Sequence, residues 1–359
     1  RWWWSVDRWT LFAVATLIGF GYILVLAASP AVAVRVGDSR DLLIVKQVTF
    51  LAIAGVVVIA VSLLSPRQVR RLAIAGGALA LLLTAMTLVH GVEIKGARRW
   101  IALPGMAMQP SEFLKPCYAV VTAWLIAEGK RTRHFPGTAI AIALFLPIAA
   151  MMKAQPDVGM LAVITAVLLV QLYLGGLNLF FVAVGAAVMA GGLVGSYFLF
   201  AHVQLRVQQF LHPNATDAYQ VKTALEAFGN GGLFGRGAGE GRIKDILPDA
   251  HADLVYAVAG EEFGMVLCLI ILAVFAFITL RCLLRLLAEN DLFTVLAAAG
   301  LVTSFGLQAF VNMGSTLHLI PTKGMTLPFI SYGGSSVLAI ALTVGMLLAL
   351  TRRRHGGGV

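Results

Sequence analysis

A chain of 359 residues, 59% hydrophobic and 12% charged, with a mean hydropathy of +0.89, lies far outside the range of a soluble domain. Its formal charge of +10 would point to nucleic acid in a soluble protein, but in a membrane protein it must first be sorted by side of the bilayer. Three cysteines, Cys117, Cys268 and Cys282, lie in or beside apolar runs at spacings that match no metal motif, so neither a disulfide nor a structural zinc is expected.

The sequence starts at Arg1 rather than Met, which suggests a native N-terminus further upstream. The first apolar run, Trp9 to Ala28, is long enough to stay in the bilayer and does not resemble a cleaved signal. Nine more stretches follow: Val48 to Leu64, Leu72 to Val89, Phe113 to Ala127, Gly137 to Met152, Val158 to Leu174, Leu177 to Ala201, Asp253 to Leu280, Leu292 to Met313 and Pro328 to Leu350. The fold expected is therefore an all-α polytopic membrane protein of ten transmembrane helices, one domain over 1–359, with its largest loop between the seventh and eighth.

Ten spans put both termini on one side, and the basic residues divide accordingly. One set of alternate loops holds Arg1, Arg8, Arg67, Arg70, Arg71, Lys130, Arg131, Arg133, Arg281, Arg285, Arg352, Arg353 and Arg354, against only Asp7, Glu128, Glu289 and Asp291. The positive-inside rule places that set, and both termini, in the cytoplasm. On the opposite face three segments exceed what a connection needs: 90–112, 202–252 and 314–327. The longest is rich in glycine and mixes charges with apolar residues, which suggests a surface-lying or re-entrant segment shielded by protein.

Within it, "GRGAGEG" superficially satisfies a dinucleotide fingerprint, but such a loop needs a preceding strand and a following helix in an aqueous fold, and this segment is expected outside the membrane, where nucleotides are scarce. Glycines that permit positive φ are the better reading. In "VEIKGARRWIALPGMAMQPSEFLK" the bases Lys95, Arg98 and Arg99 fall on the outer side, and a helix capped by Ser111 would bring Glu112 and Lys115 onto one face as a pair. "KAQPDVG" places Gln155 in a short turn and Asp157 at a helix N-terminus, where an acid is expected as a cap. "STLHLIPTKGMTLPFISYGGSS" carries Lys323 as its sole charge and Ser331 before Gly333 and Gly334, with Pro328 suited to start the last helix. In "LPDAHADLVYAVAGEEFG", Asp249 and His251 lead into Asp253 at the edge of a long apolar run, with Glu261 and Glu262 two turns deeper. Carboxylates at the edge of hydrocarbon are costly, and three down one helix suit a polar cavity.

These motifs, in this order over nearly the whole chain, resemble the SEDS family (shape, elongation, division and sporulation), with "GARRW" and "PTKG" closer to its division branch than to its elongation branch. The resemblance implies a peptidoglycan glycosyltransferase of the bacterial inner membrane, polymerising lipid II, a disaccharide-pentapeptide on undecaprenyl diphosphate, on the periplasmic face at the division septum. It also implies as partners a class B penicillin-binding protein transpeptidase and other divisome membrane proteins, and it places the essential acid of the family's H-x-D motif on Asp253. Leu254 and Tyr256 stand where the family commonly has Phe.

An α-linked donor and a β-linked product require inversion, hence a base for the acceptor's 4-OH, and Asp253 is the candidate. Lys115, Lys323, Arg98, Arg236 and Arg242 are candidate cations for the leaving diphosphate. Glu112, Gln155, His251 and Ser331 complete the candidate substrate-binding set. Mg²⁺ or Mn²⁺ would suit such chemistry, although no spacing selects its ligands. Two other functions remain open at this point: a lipid-linked sugar flippase, disfavoured by the shortage of polar groups in the inner half of the spans, and a non-catalytic scaffold for the transpeptidase.

Overall fold

The computed structural model of this chain describes residues 2–36, 40–94, 97–104, 106–212, 219–247, 250–321 and 324–352; Lys95, Asp249 and Lys323 lie outside the described residues. The elements in chain order are α1 (Trp2–Ser5), α2 (Arg8–Val36), α3 (Arg40–Ser62), α4 (Pro66–His90), β1 (Val92–Ile94), β2 (Ala97–Leu103), β3 (Met106–Met108), α5 (Pro110–Arg131), α6 (Gly137–Ala154) and α7 (Val158–Leu174). They continue with α8 (Leu179–Leu199), α9 (Ala201–Leu211), α10 (Tyr219–Gly231), a 3-10 turn (Ile243–Asp245), α11 (Val255–Leu286), α12 (Leu292–Thr316) and α13 (Gly334–Leu350).

Among the described residues seven helices are long and apolar enough to cross a membrane: α2, α3, α4, α6, α8, α11 and α12. The shorter apolar helices α7 and α13, and α5 with its charged ends, coincide with the other three stretches read from the sequence. The protein is thus a helical, multi-pass membrane protein.

Three boundaries differ from expectation for local reasons. The last helix starts at Gly334 rather than Pro328, because Phe329 has φ +62° and the backbone of Ser331 and Tyr332 is engaged elsewhere. The helix after Asp253 starts at Val255, leaving the aspartate in the preceding turn. Helix α5 starts at Pro110 after Gln109, so Ser111 is not its cap. Nor is the chain purely helical: β1, β2 and β3 form a small antiparallel sheet over 92–108.

Helices α5, α12 and α13 occupy the middle of the bundle. Helix α12 packs on α5, α7, α11 and α13, α3 lies along α13, and α4 lies along α5. Gly334 lets α13 approach α3 closely, since a Cβ there would fall 2.7 Å from the Phe50 ring. At the periphery, α8 buries only Ser196 and turns Phe180, Phe181, Phe198 and Leu199 outward, as a helix facing hydrocarbon does.

The end of the bundle carrying the N-terminal residues is closed by polar ties. Asp7 accepts two hydrogen bonds from Arg281, at 2.7 and 2.9 Å, and pairs with Arg285 at 3.3 Å. Trp2 Nε1 donates to Ser62 Oγ, and Arg285 to the carbonyl of Thr351. The opposite end holds the sheet, α9, α10, the glycine-rich loop and Asp253.

Candidate active site

The glycine-rich loop is seated on a break in α11. Gly264 has φ +82° and ψ −178°, a conformation nearly confined to glycine, and any Cβ there would collide with the backbone of Leu233 and Gly235. The amides freed by the break are used: Met265 N donates to Gly232 O at 2.9 Å and Val266 N to Leu233 O at 3.2 Å. In return Arg236 N and Gly237 N donate to the carbonyls of Glu261 and Glu262, at 3.0 and 2.9 Å.

Glu261 and Glu262 do not open onto a polar cavity; both are buried fasteners of this loop. Glu261 accepts from the amides of Arg242 (3.2 Å) and Ile243 (3.0 Å), where the 3-10 turn begins. Glu262 accepts from Gly239 N at 2.8 Å and from Lys244 Nζ at 2.6 Å. The Lys244 ammonium also donates to the carbonyls of Gly239 and Ala27, so all three of its protons have acceptors. Below them a small-residue cluster of Ala28, Ala224, Ala227, Ala250 and Ala257 with Ile243, Leu247 and Leu254 joins α2, α10 and α11.

Asp253 follows directly on that cluster, half-buried, in a turn whose backbone is held from the other side. Three successive carbonyls are bonded. Tyr332 N donates to His251 O (2.8 Å), Ser331 Oγ to Ala252 O (2.6 Å) and Asn312 Nδ2 to Asp253 O (2.9 Å). Asn312 Nδ2 also reaches Met325 O at 2.6 Å, and Ser331 Oγ accepts from Leu327 N. Gln47 of α3 then donates to Ser331 O. The Ser331 hydroxyl, expected to bind substrate, is thus engaged with the backbone around Asp253, whereas His251 contributes its main-chain carbonyl and places its ring 5.2 Å from that of Tyr332.

One turn along α12 from Asn312, Gln308 accepts from Lys115 Nζ at 2.7 Å and donates to the carbonyl and hydroxyl of Thr326. Lys115, buried, pairs with Glu112 at 2.7 Å, the pairing the three-residue spacing anticipates. The loop 324–333 is therefore tied at Met325 to the Asp253 turn and at Thr326 to the Lys115 pair.

A second cluster stands beside this one. Arg99 donates to the carbonyls of Gln155 (2.9 Å) and Pro156 (2.9 Å) and to Asp157 Oδ2 (3.0 Å), joining β2 to the α6–α7 turn. Asp157 caps α7 as expected, accepting from Met160 N at 3.1 Å. Gln155 is buried and spends its Nε2 on Thr87 Oγ1 at 2.7 Å, while its Oε1 has no hydrogen-bond partner among the described residues. Arg98 lies apart, exposed on the sheet and 3.5 Å from Glu93. Arg236 and Arg242 are exposed on the glycine-rich loop. Lys323 lies outside the described residues.

Two groups that sequence reading passed over belong here. Gln308 and Asn312, four residues apart in an apolar helix, carried a legible signal, since polar side chains at that spacing share one face. Arg206, on α9, carried none among the many bases of its loop. Burial pushes its guanidinium below the ordinary value and Arg99 adds to this, while Asp253 and Asp157 oppose it. Among the described residues no three His, Cys, Asp or Glu side chains come together, while Mg²⁺ is commonly held by one or two carboxylates together with the substrate's phosphates.

Residues 8–356 match the profile of the FtsW, RodA and SpoVE family, described as "Cell cycle protein". A Caulobacter vibrioides protein named "Probable peptidoglycan glycosyltransferase FtsW" is 43% identical over 99% of this chain and 91% of its own length. One of the same name from Trichlorobacter lovleyi is 33% identical over 96% and 93%. Among solved structures, the rod shape determining protein RodA of Thermus thermophilus superposes with a TM-score of 0.72, at 27% identity and 97% coverage of both chains. A chain from a structure described as "Structural coordination of polymerization and crosslinking by a peptidoglycan synthase complex" superposes at 0.77, with 26% identity and coverage of 96% and 97%. The chain belongs to the FtsW, RodA and SpoVE family of membrane proteins.

Proposed function

We propose that this protein is a peptidoglycan glycosyltransferase that polymerises lipid II during septal wall synthesis, with Asp253 as general base. The observation that carries the reading is the Asp253 turn: a half-buried carboxylate at one end of an apolar bundle, its backbone held at three successive carbonyls. Such holding is what a base needs to meet a hydroxyl repeatedly in one geometry.

In the step itself the acceptor's 4-OH attacks the anomeric carbon of the donor and its proton passes to an Asp253 oxygen. The bond from that carbon to the diphosphate breaks, and undecaprenyl diphosphate leaves with the electron pair. A base so placed contributes about 10² to 10⁴ in rate. The departing diphosphate needs cations rather than an acid. Lys115 serves best as a buried tie, since Glu112 and Gln308 already hold its ammonium.

The membrane edge is a sensible place for the carboxylate: the prenyl chain is fixed in lipid and the reacting sugars lie just above it. On this reading the ten helical stretches all span the inner membrane, both termini are cytoplasmic, and Asp253 faces the periplasm. Lipid II is the substrate, and a class B penicillin-binding protein, with other divisome membrane proteins, is the partner. The names of the relatives and the peptidoglycan synthase complex among the similar structures support this assignment.

The test is incubation of the purified protein, alone and with the transpeptidase, with labelled lipid II, followed by electrophoresis of the glycan products. Ladders of polymer are expected. Movement of lipid II across proteoliposomes with no polymer would favour the flippase.

A further inference from the structure

Arg206 stands on α9, a helix with no buried residue, held near its C-terminal end by a ring contact between Phe210 and His318 at 4.6 Å. Its side chain nevertheless turns inward, into the field of Asp253, Arg99 and Asp157. Arg99 and Asp157 pair with each other at 3.0 Å, so their fields largely cancel at Arg206 and Asp253 is the charge it answers to. Gly324, at φ +50°, marks the geometry. A Cβ built there would lie 3.3 Å from Asp253 Oδ2 and 3.8 Å from Arg206 Nη2, so those two atoms are separated by no more than about 7 Å, the sum of the two distances.

Lys46, on α3 beside Gln47, is half-exposed; the other cations named above have acceptors of their own or face outward. Lys115 is taken by Glu112 and Gln308, Lys244 by Glu262 and two carbonyls, and Arg99 by the 155–157 turn. Arg98, Arg236 and Arg242 are exposed. Arg206 forms no hydrogen bond or ion pair among the described residues.

We propose that Arg206 binds the diphosphate of the lipid-linked donor, facing Asp253 across the gap in which the glycosidic bond is exchanged; this rests on the glycosyltransferase reading. An inverting displacement places base and leaving group on opposite sides of one carbon. The paired carboxyls of inverting glycosidases, which also flank the reacting carbon, stand about 6.5 to 9.5 Å apart. The upper part of the range allowed here falls within that span. A guanidinium offers two parallel N–H donors to phosphate oxygens, a fork that an ammonium lacks. The diphosphate gives the Arg206 guanidinium a direct partner, which it lacks among the described residues.

The experiment compares wild type, Arg206→Ala, Arg206→Lys and Asp253→Asn in two assays: lipid II polymerisation, and direct binding of undecaprenyl diphosphate by tryptophan fluorescence. Arg206→Ala is expected to lose about 10²-fold in kcat/KM and to bind undecaprenyl diphosphate at least tenfold more weakly, with Arg206→Lys between it and wild type. Asp253→Asn should bind undecaprenyl diphosphate as tightly as wild type or more so. An unchanged thermal midpoint in each variant controls for folding. Wild-type affinity for undecaprenyl diphosphate in Arg206→Ala overturns the inference, whichever way polymerisation goes. Failure of the wild-type protein to polymerise lipid II both alone and with the transpeptidase overturns the glycosyltransferase reading instead.

Discussion

Glu262→Ala should loosen the seat of the glycine-rich loop, and the cost can be worked from its contacts. The carboxylate is 1% exposed and Lys244 5%, with 2.6 Å between them. Removing the carboxylate leaves a buried ammonium with only the carbonyls of Ala27 and Gly239 as acceptors. Breaking a buried pair from one side costs about 3 to 5 kcal/mol, most of it the penalty of the charge left behind. The Gly239 amide adds little, because Gly239 is exposed and its N–H can turn to water. Replacing both partners by apolar residues, Glu262→Leu with Lys244→Met, removes both charges and should cost much less than the two single changes together. The assay is denaturant unfolding of the detergent-solubilised protein as a double-mutant cycle, with limited proteolysis of 231–247 as a local readout. Additive effects, or a Glu262→Ala protein within about 1 kcal/mol of wild type, would show that the pair does not fasten the loop.

Asn312→Ala frees the carbonyls of Asp253 and Met325. It should lower kcat about 10²-fold by misplacing the base, with lipid II KM nearly unchanged. Asn312→Asp should be no better, because a carboxylate cannot donate; activity retained by either would refute the positioning role. Gly264→Ala forces a side chain into a conformation nearly confined to glycine and against the backbone of Leu233 and Gly235, so a loss of more than about 1 to 3 kcal/mol is expected in unfolding. For Asp7, burial raises its pKa, but hydrogen bonds from Arg281 and Thr10 and the charges of Arg285 and Arg281 outweigh that and hold it below 3.8. A depressed carboxyl stabilises the fold above its unfolded pKa and loses that contribution as pH falls through the folded value. Asp7→Asn should therefore lower the thermal midpoint at neutral pH, with the difference shrinking below about pH 4. A gap independent of pH would contradict this.

The parts of this fold legible in the sequence are those encoded by a residue's own chemistry. Each apolar stretch of bilayer length is a helix, and Asp157 caps α7. Glu112 and Lys115 pair because their spacing puts them on one helical face. What stayed hidden depends on partners distant in the chain or on backbone. Glu261 and Glu262 look like cavity acids because they are charged within an apolar run. Their acceptors' true partners are main-chain amides at 239, 242 and 243 and one lysine, which no side-chain pattern announces. Pro328 looks like a helix start, yet Ser331 and Tyr332 spend their donors on Ala252 and His251, and α13 begins only once those bonds are made. Arg206 gained its meaning from α9 folding back toward Asp253, a tertiary event.

That the carboxylate of Asp253 takes the acceptor proton is tested most directly by the single-turnover rate of lipid II coupling in Asp253→Asn, a change that keeps the size of the side chain and the backbone bonds at residues 251 to 253. The rate should fall by at least about 10²-fold while the unfolding midpoint and undecaprenyl diphosphate binding hold. Coupling at the wild-type rate in that folded protein would contradict the account.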